Sequence, residues 1–162
     1  MDSDGDENRP YPAPNTEFLK GEHSQPHVIA FDMQALIRET DVPLNVLYTD
    51  ENMQFAIEMV QPLGRVPREI HPTQSQFIRV ESGHARIDIF YPENVTVMYK
   101  SIYLSAANDT AATTATTTDE DAADTTSVQD TIIIHAGVYH EVTNLSTLQP
   151  LKFYTIYSPH VH

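Results

Sequence analysis

Hydrophobic and polar positions alternate with a period of two over much of this chain, in short runs broken by glycine, proline and acidic residues. Met53, Phe55, Ile57 and Met59 alternate with Gln54, Ala56 and Glu58, which predicts a strand whose apolar face belongs to the core. Gln76, Ile78 and Val80 alternate with Phe77, Arg79 and Glu81, and the same period runs through 85–90 and 152–157. Segments 45–49, 94–104 and 131–134 read as further strands, and 28–31 as a short one. One helical stretch stands out: Asp32 is placed to cap a turn of helix over 33–38. Pro62-Leu63-Gly64, Pro67 and Gly83 punctuate the chain, Gly83 as the turn between two strands. Many short strands with almost no helical period predict an all-β barrel or sandwich.

Two stretches fall outside this pattern. Residues 1–25 are rich in Asp, Glu, Pro and Asn and read as a flexible acidic arm. Residues 105–127, SAANDTAATTATTTDEDAADTTS, lack any aromatic or large aliphatic side chain. They cannot bury enough surface to offset the entropy of ordering, so a disordered insert is expected, interrupting a hairpin between Leu104 and Val128. The remainder, 26–162 without the insert, is of a size for a single domain.

Charge and composition then narrow the function. The net charge of −14 is concentrated in the arm, with six acids and two bases, and the insert, with five acids and no base. Such a chain lacks the basic patch that nucleic acid requires. There is no cysteine, hence no disulfide, thiolate nucleophile or cysteine-type zinc site. The acidic start has no apolar signal region, and no 18-residue apolar run occurs, so a cytoplasmic protein without membrane contact is expected.

The chemistry gathers in a few residues. Glu69 and His71 are two apart and share a face if the segment is extended. Gln76 opens the next alternating run, and His140 follows the apolar run 132–134 after Ala136-Gly137. These side chains can place one metal ion in a small β-barrel. No phosphate loop, nucleophile elbow or dinucleotide fingerprint is present.

The same residues resemble the two sequence motifs of the cupin superfamily. Gly64, Glu69-x-His71, four residues, Gln76, six residues and Gly83 follow the first; His135-Ala136-Gly137, two residues, His140, three residues and Asn144 follow the second. The words EIHPTQSQFIRVESG, AGVYHEVTN and PLKFYTIYSP look most like small single-domain cupins of the mannose-6-phosphate-isomerase-like type. The resemblance implies a double-stranded β-helix, or jelly roll, with Glu69, His71, Gln76 and His140 as metal ligands. Relative to the family pattern a carboxylate stands in the first ligand position and an amide in the third, which leaves the ligand charge at −1. Such a set suits Fe or Mn, with Zn and Ni also open.

The implied function is a metal-dependent enzyme on a small molecule, oxygenase- or isomerase-like, with no catalytic residue assigned. A non-catalytic sensor or storage barrel is the alternative, as is a decayed site whose groups hydrogen-bond one another. Sugar-phosphate chemistry would need a cationic clamp, for which Arg65 and Arg68 are the candidates. Glu58 or Tyr154 is expected to face the cavity as a further ionisable group, while Arg79 and Glu81 read as an ion pair on the opposite face. A homodimer through edge strands is expected.

Overall fold

A computed structural model of the chain describes residues 28–107 and 129–159. The acidic arm, His27, His160, His162 and nearly all of the insert lie outside the described residues. Among the described residues the elements are one helix, α1 (Met33–Glu39), and nine strands: β1 (Leu44–Thr49), β2 (Gln54–Val60), β3 (Arg65–Glu69), β4 (Ser75–Ser82), β5 (His84–Phe90), β6 (Met98–Ser105), β7 (Thr131–Ile134), β8 (His140–Asn144) and β9 (Leu151–Ser158). They form a five-stranded sheet, β1-β2-β9-β4-β7, and a four-stranded sheet, β3-β8-β5-β6. Every pairing is antiparallel.

The sheets bury a shared core of Ile78, Val80, Ile87, Leu104, Val142, Leu151 and Phe153. Register orders the inner wall of the five-stranded sheet into rows. They run Gln54–Tyr157–Gln76–Ile134, then Ala56–Thr155–Ile78–Ile132, then Glu58–Phe153–Val80, then Val60–Leu151. The wall therefore grades from polar to apolar along the strands, which leaves one end of the barrel for chemistry and the other for packing. Asn144 secures the apolar end: its buried amide nitrogen donates to the carbonyls of Val60, Gln61 and Gln149 at 2.9–3.1 Å, and its oxygen accepts from Ser146 N. Gly83, at φ +91°, makes the β4–β5 turn in a conformation that a side chain would strain.

Helix α1 begins as predicted, with the Asp32 carboxylate accepting from Ala35 N at 3.0 Å. It lies on the outer face of the five-stranded sheet, where Lys152 Nζ donates to Ile37 O at 2.7 Å and Gln34 to Glu81 at 3.3 Å. A row of ring contacts, Phe31–Phe55–Tyr154–Phe77, extends this outer layer at centroid distances of 5.6–5.8 Å. Among the described residues no helix is long and apolar enough to cross a membrane.

Four expectations change. Residues 28–31 are not a strand; Phe31 instead packs its ring on Phe55. The run Met53, Phe55, Ile57, Met59 does not point into the barrel. The inward side of β2 is Gln54, Ala56, Glu58 and Val60, all buried, and the apolar side meets the outer layer. The strands flanking the insert do not form a hairpin, because β6 and β7 belong to different sheets. The insert nonetheless leaves and returns at one point, since Ser105 N donates to Gln129 O at 2.9 Å. Finally, Tyr154 faces outward, against Phe55 and Phe77, and not toward the cavity.

Candidate metal centre

Strict alternation along β3 would put Arg65, Pro67 and Glu69 on one face. A register shift between Val66 and Glu69 breaks that alternation, so that Val66 and Glu69 both turn inward while Arg65 stays exposed. Bulges of this kind re-aim a side chain at the end of a strand. Glu69 is thereby set directly opposite His140 on β8, and His140 is opposite Ile89 on β5. His71 follows just beyond β3, its carbonyl accepting from Gly137 N at 2.9 Å. Gly137, at φ +81°, permits the turn that delivers His140 into β8.

One ligand atom from each of Glu69, His71 and His140 lies within 4.8 Å of the others. Glu69 Oε1 is 3.3 Å from His71 Nε2 and 3.3 Å from His140 Nε2. Burial would raise the Glu69 carboxyl, but the two imidazoles, when Nε2 of each carries a proton, outweigh it through hydrogen bonds and charge and hold it at about 2.

His140 decides what this cluster can accept. Its Nδ1 is 3.0 Å from Val138 O, and because a carbonyl only accepts, Nδ1 carries the hydrogen. In the neutral ring Nε2 is then a bare lone pair, 1% exposed as a residue, and Nε2 has no hydrogen-bond partner among the described residues. It faces a carboxylate oxygen across 3.3 Å, which is repulsive unless a cation lies between them. A proton on the ring or a metal ion meets that need. A backbone carbonyl holding the far ring nitrogen is the support that metal-binding histidines use. The donor set of two imidazoles and one carboxylate thus fits a divalent transition ion.

Gln76 is on the facing wall, buried at 2% exposure, with its amide nitrogen 3.1 Å from both Thr155 Oγ1 and Tyr157 Oη. Its Oε1 is buried without a hydrogen-bond partner among the described residues. Tyr157 joins the two walls. Its ring packs edge-on against His71 at 4.9 Å between centroids, and its hydroxyl donates to Glu58 at 3.0 Å. Glu58 is 4% exposed, on the inward side of β2. Gln54, in the same row as Tyr157 and Gln76, also buries an amide oxygen without a partner among the described residues.

The other candidates lie elsewhere. Arg65 pairs with Glu141 at 3.5 Å on the outer face, its side chain 67% exposed. Arg68 stacks on Phe90 at 3.7 Å and donates to Val95 O. Neither clamps an anion at the cluster. Arg79 pairs with Glu81 at 3.4 Å, as expected, and also with Asp130 at 3.3 Å. His84 bonds Ser105, and His135 is exposed. A cavity of about 360 Å3 between residues 29–32, α1 and β1 contains none of the cluster residues. Gln54, Thr155 and Tyr157 were missed from sequence; their signal was the inward parity of β2 and β9, hidden because the large apolar residues of β2 occupy the other face.

No protein-family model matches the chain. Among curated proteins it is 29% identical over 117 residues to the uncharacterized protein L612 of Acanthamoeba polyphaga mimivirus, covering 72% of this chain. It is 23% identical over 145 residues to the uncharacterized protein YrkC of Bacillus subtilis, covering 90% of this chain. The matches span 56% and 63% of those two relatives' lengths. Among solved structures it is similar to BH2720 from Bacillus halodurans, with a TM-score of 0.60, 22% identity and 87% of each chain covered. It is also similar to the cupin domain of Schizosaccharomyces pombe Cnp3, with a TM-score of 0.54, 7% identity and 76% of this chain and 67% of that one covered. A Klebsiella pneumoniae protein with a double-stranded β-helix domain matches with a TM-score of 0.54 and 15% identity, over 80% of this chain and 84% of that one. The fold is therefore that of the cupins, a double-stranded β-helix.

Proposed function

We propose that the chain binds one divalent metal ion through Glu69, His71 and His140, with Gln76 Oε1 as a fourth, weaker ligand, and that it is a metal-dependent enzyme acting on a small polar molecule. The observation that carries this reading is His140 Nε2 held 3.3 Å from the Glu69 carboxylate, with the ring's other nitrogen already committed to Val138 O. A bound ion would supply Lewis-acid polarisation of a substrate oxygen.

The remaining polar residues support catalysis over passive storage. Glu58 and Tyr157 place an ionisable pair in the interior, the Tyr157 ring against His71, and so give the site groups able to move a proton. Nothing in the arginines favours a sugar phosphate, since Arg65 and Arg68 are spent on Glu141, Phe90 and Val95, so the mannose-6-phosphate type is not carried over.

The test is elemental analysis of the untagged protein beside His140→Ala. Near-stoichiometric Fe, Mn, Zn or Ni in the wild type and its loss in the variant is the expected result. Two metal-free proteins after reconstitution would refute the ligand assignment, and metal without turnover across a broad small-molecule screen would favour a binding barrel.

A further inference from the structure

The hydrogen bonds around Tyr157 have a direction. The Tyr157 hydroxyl donates its one hydrogen to Glu58 Oε1 at 3.0 Å. Its oxygen is left to accept, and the partner at 3.1 Å is the Gln76 amide nitrogen. Thr155 Oγ1 takes that nitrogen's other hydrogen at 3.1 Å. Both amide hydrogens are then in use, and the orientation of a side chain with two nearly equal ends is decided. The Gln76 oxygen is the end left over, buried and without a partner among the described residues. Thr155 alone could not fix this, because its hydroxyl can donate as readily as accept.

We infer that Glu58 and Tyr157 are positioning residues that hold the Gln76 amide with its oxygen, and not its nitrogen, available to the metal. The inference rests on the metal reading above. It assigns a task to a carboxylate 4% exposed in a row otherwise made of Phe153 and Val80. Buried acids are kept only where they have a partner or a purpose. It also gives a reason for Ala56: its row lies between those of Tyr157 and Glu58, which hydrogen-bond across it, and a small side chain there leaves room.

The experiment uses cobalt(II) as probe on the full chain, reading affinity by chelator competition and the ligand-field spectrum. Tyr157→Phe keeps the ring against His71 and removes only the hydroxyl. It is expected to weaken cobalt binding roughly tenfold or more, the range typical of lost outer-shell support, and to change the spectrum. Glu58→Leu frees the Tyr157 hydrogen to turn toward Gln76 and is expected to do the same, whereas Glu58→Gln, whose oxygen still accepts, is expected to restore near-wild-type binding. In a Gln76→Leu background Tyr157→Phe should add nothing, since its effect passes through that amide. Wild-type protein that binds no cobalt overturns the metal reading and this inference with it. Wild-type protein that binds, with Tyr157→Phe unchanged in affinity and spectrum, overturns the inference alone. So does a Tyr157→Phe effect that persists in full when Gln76 is already leucine.

Discussion

Acid should weaken the metal-stripped protein in a window set by one carboxyl. Glu69 lies at about 2 in the folded chain, against an ordinary 4.5. Between those two values the unfolded chain binds a proton that the folded chain does not, so stability falls as pH falls. The contribution is complete above about pH 4.5 and is gone once pH has dropped through about 2. The size of the displacement corresponds to roughly 3 kcal/mol. Its side chain is 23% exposed, so the figure needs no large reduction for solvent screening. Urea unfolding in the presence of a chelator, from about pH 6 to about pH 2.5, reads it directly. The wild type should lose about 2.5 kcal/mol more than Glu69→Gln over that span, the remainder going below about pH 2.5. Two stability curves that stay parallel would refute the argument, because they would mean that the imidazoles do not hold the carboxylate.

Three further outcomes are expected. Replacing residues 108–128 by a short turn should leave the fold intact and raise stability by about 1 kcal/mol, since the ends already meet at the Ser105–Gln129 bond and loop closure becomes less costly; a large drop in melting temperature would show that the segment packs. Asn144→Ala strips the amide donor from three carbonyls and should cost about 3 kcal/mol in urea unfolding. Phe153→Ala, in a fully buried position, should cost about 3–5 kcal/mol with metal content unchanged in whatever fraction remains folded.

The all-β class, the α1 cap and the strands around Gln76, Ala85 and Phe153 were legible because each has a clean period or a strong punctuating residue. So were Glu69, His71 and His140, whose spacing survives into a cluster within 4.8 Å. Three things were not. The bulge that turns Glu69 inward leaves no mark in the alternation. The side of β2 that faces the cavity was misjudged because hydrophobicity says which face is buried only when the other face meets water. Here both faces are covered, one by the facing sheet and one by Phe31 and Tyr154. The partners of the strands beside the insert were hidden because sequence neighbours in this topology cross between sheets.

The two-sided character of β2 gives the strand a mutational signature. Positions 54, 56, 58 and 60 look into the barrel, while 55, 57 and 59 look toward the outer layer. A substitution series along this one strand should therefore alternate in phenotype, residue by residue. Changes at 54 and 58 would register at the chemical end of the barrel, a change at 60 in core packing, and odd-numbered ones in the docking of the outer layer. One strand thus divides the protein's chemistry from the anchoring of its outer layer.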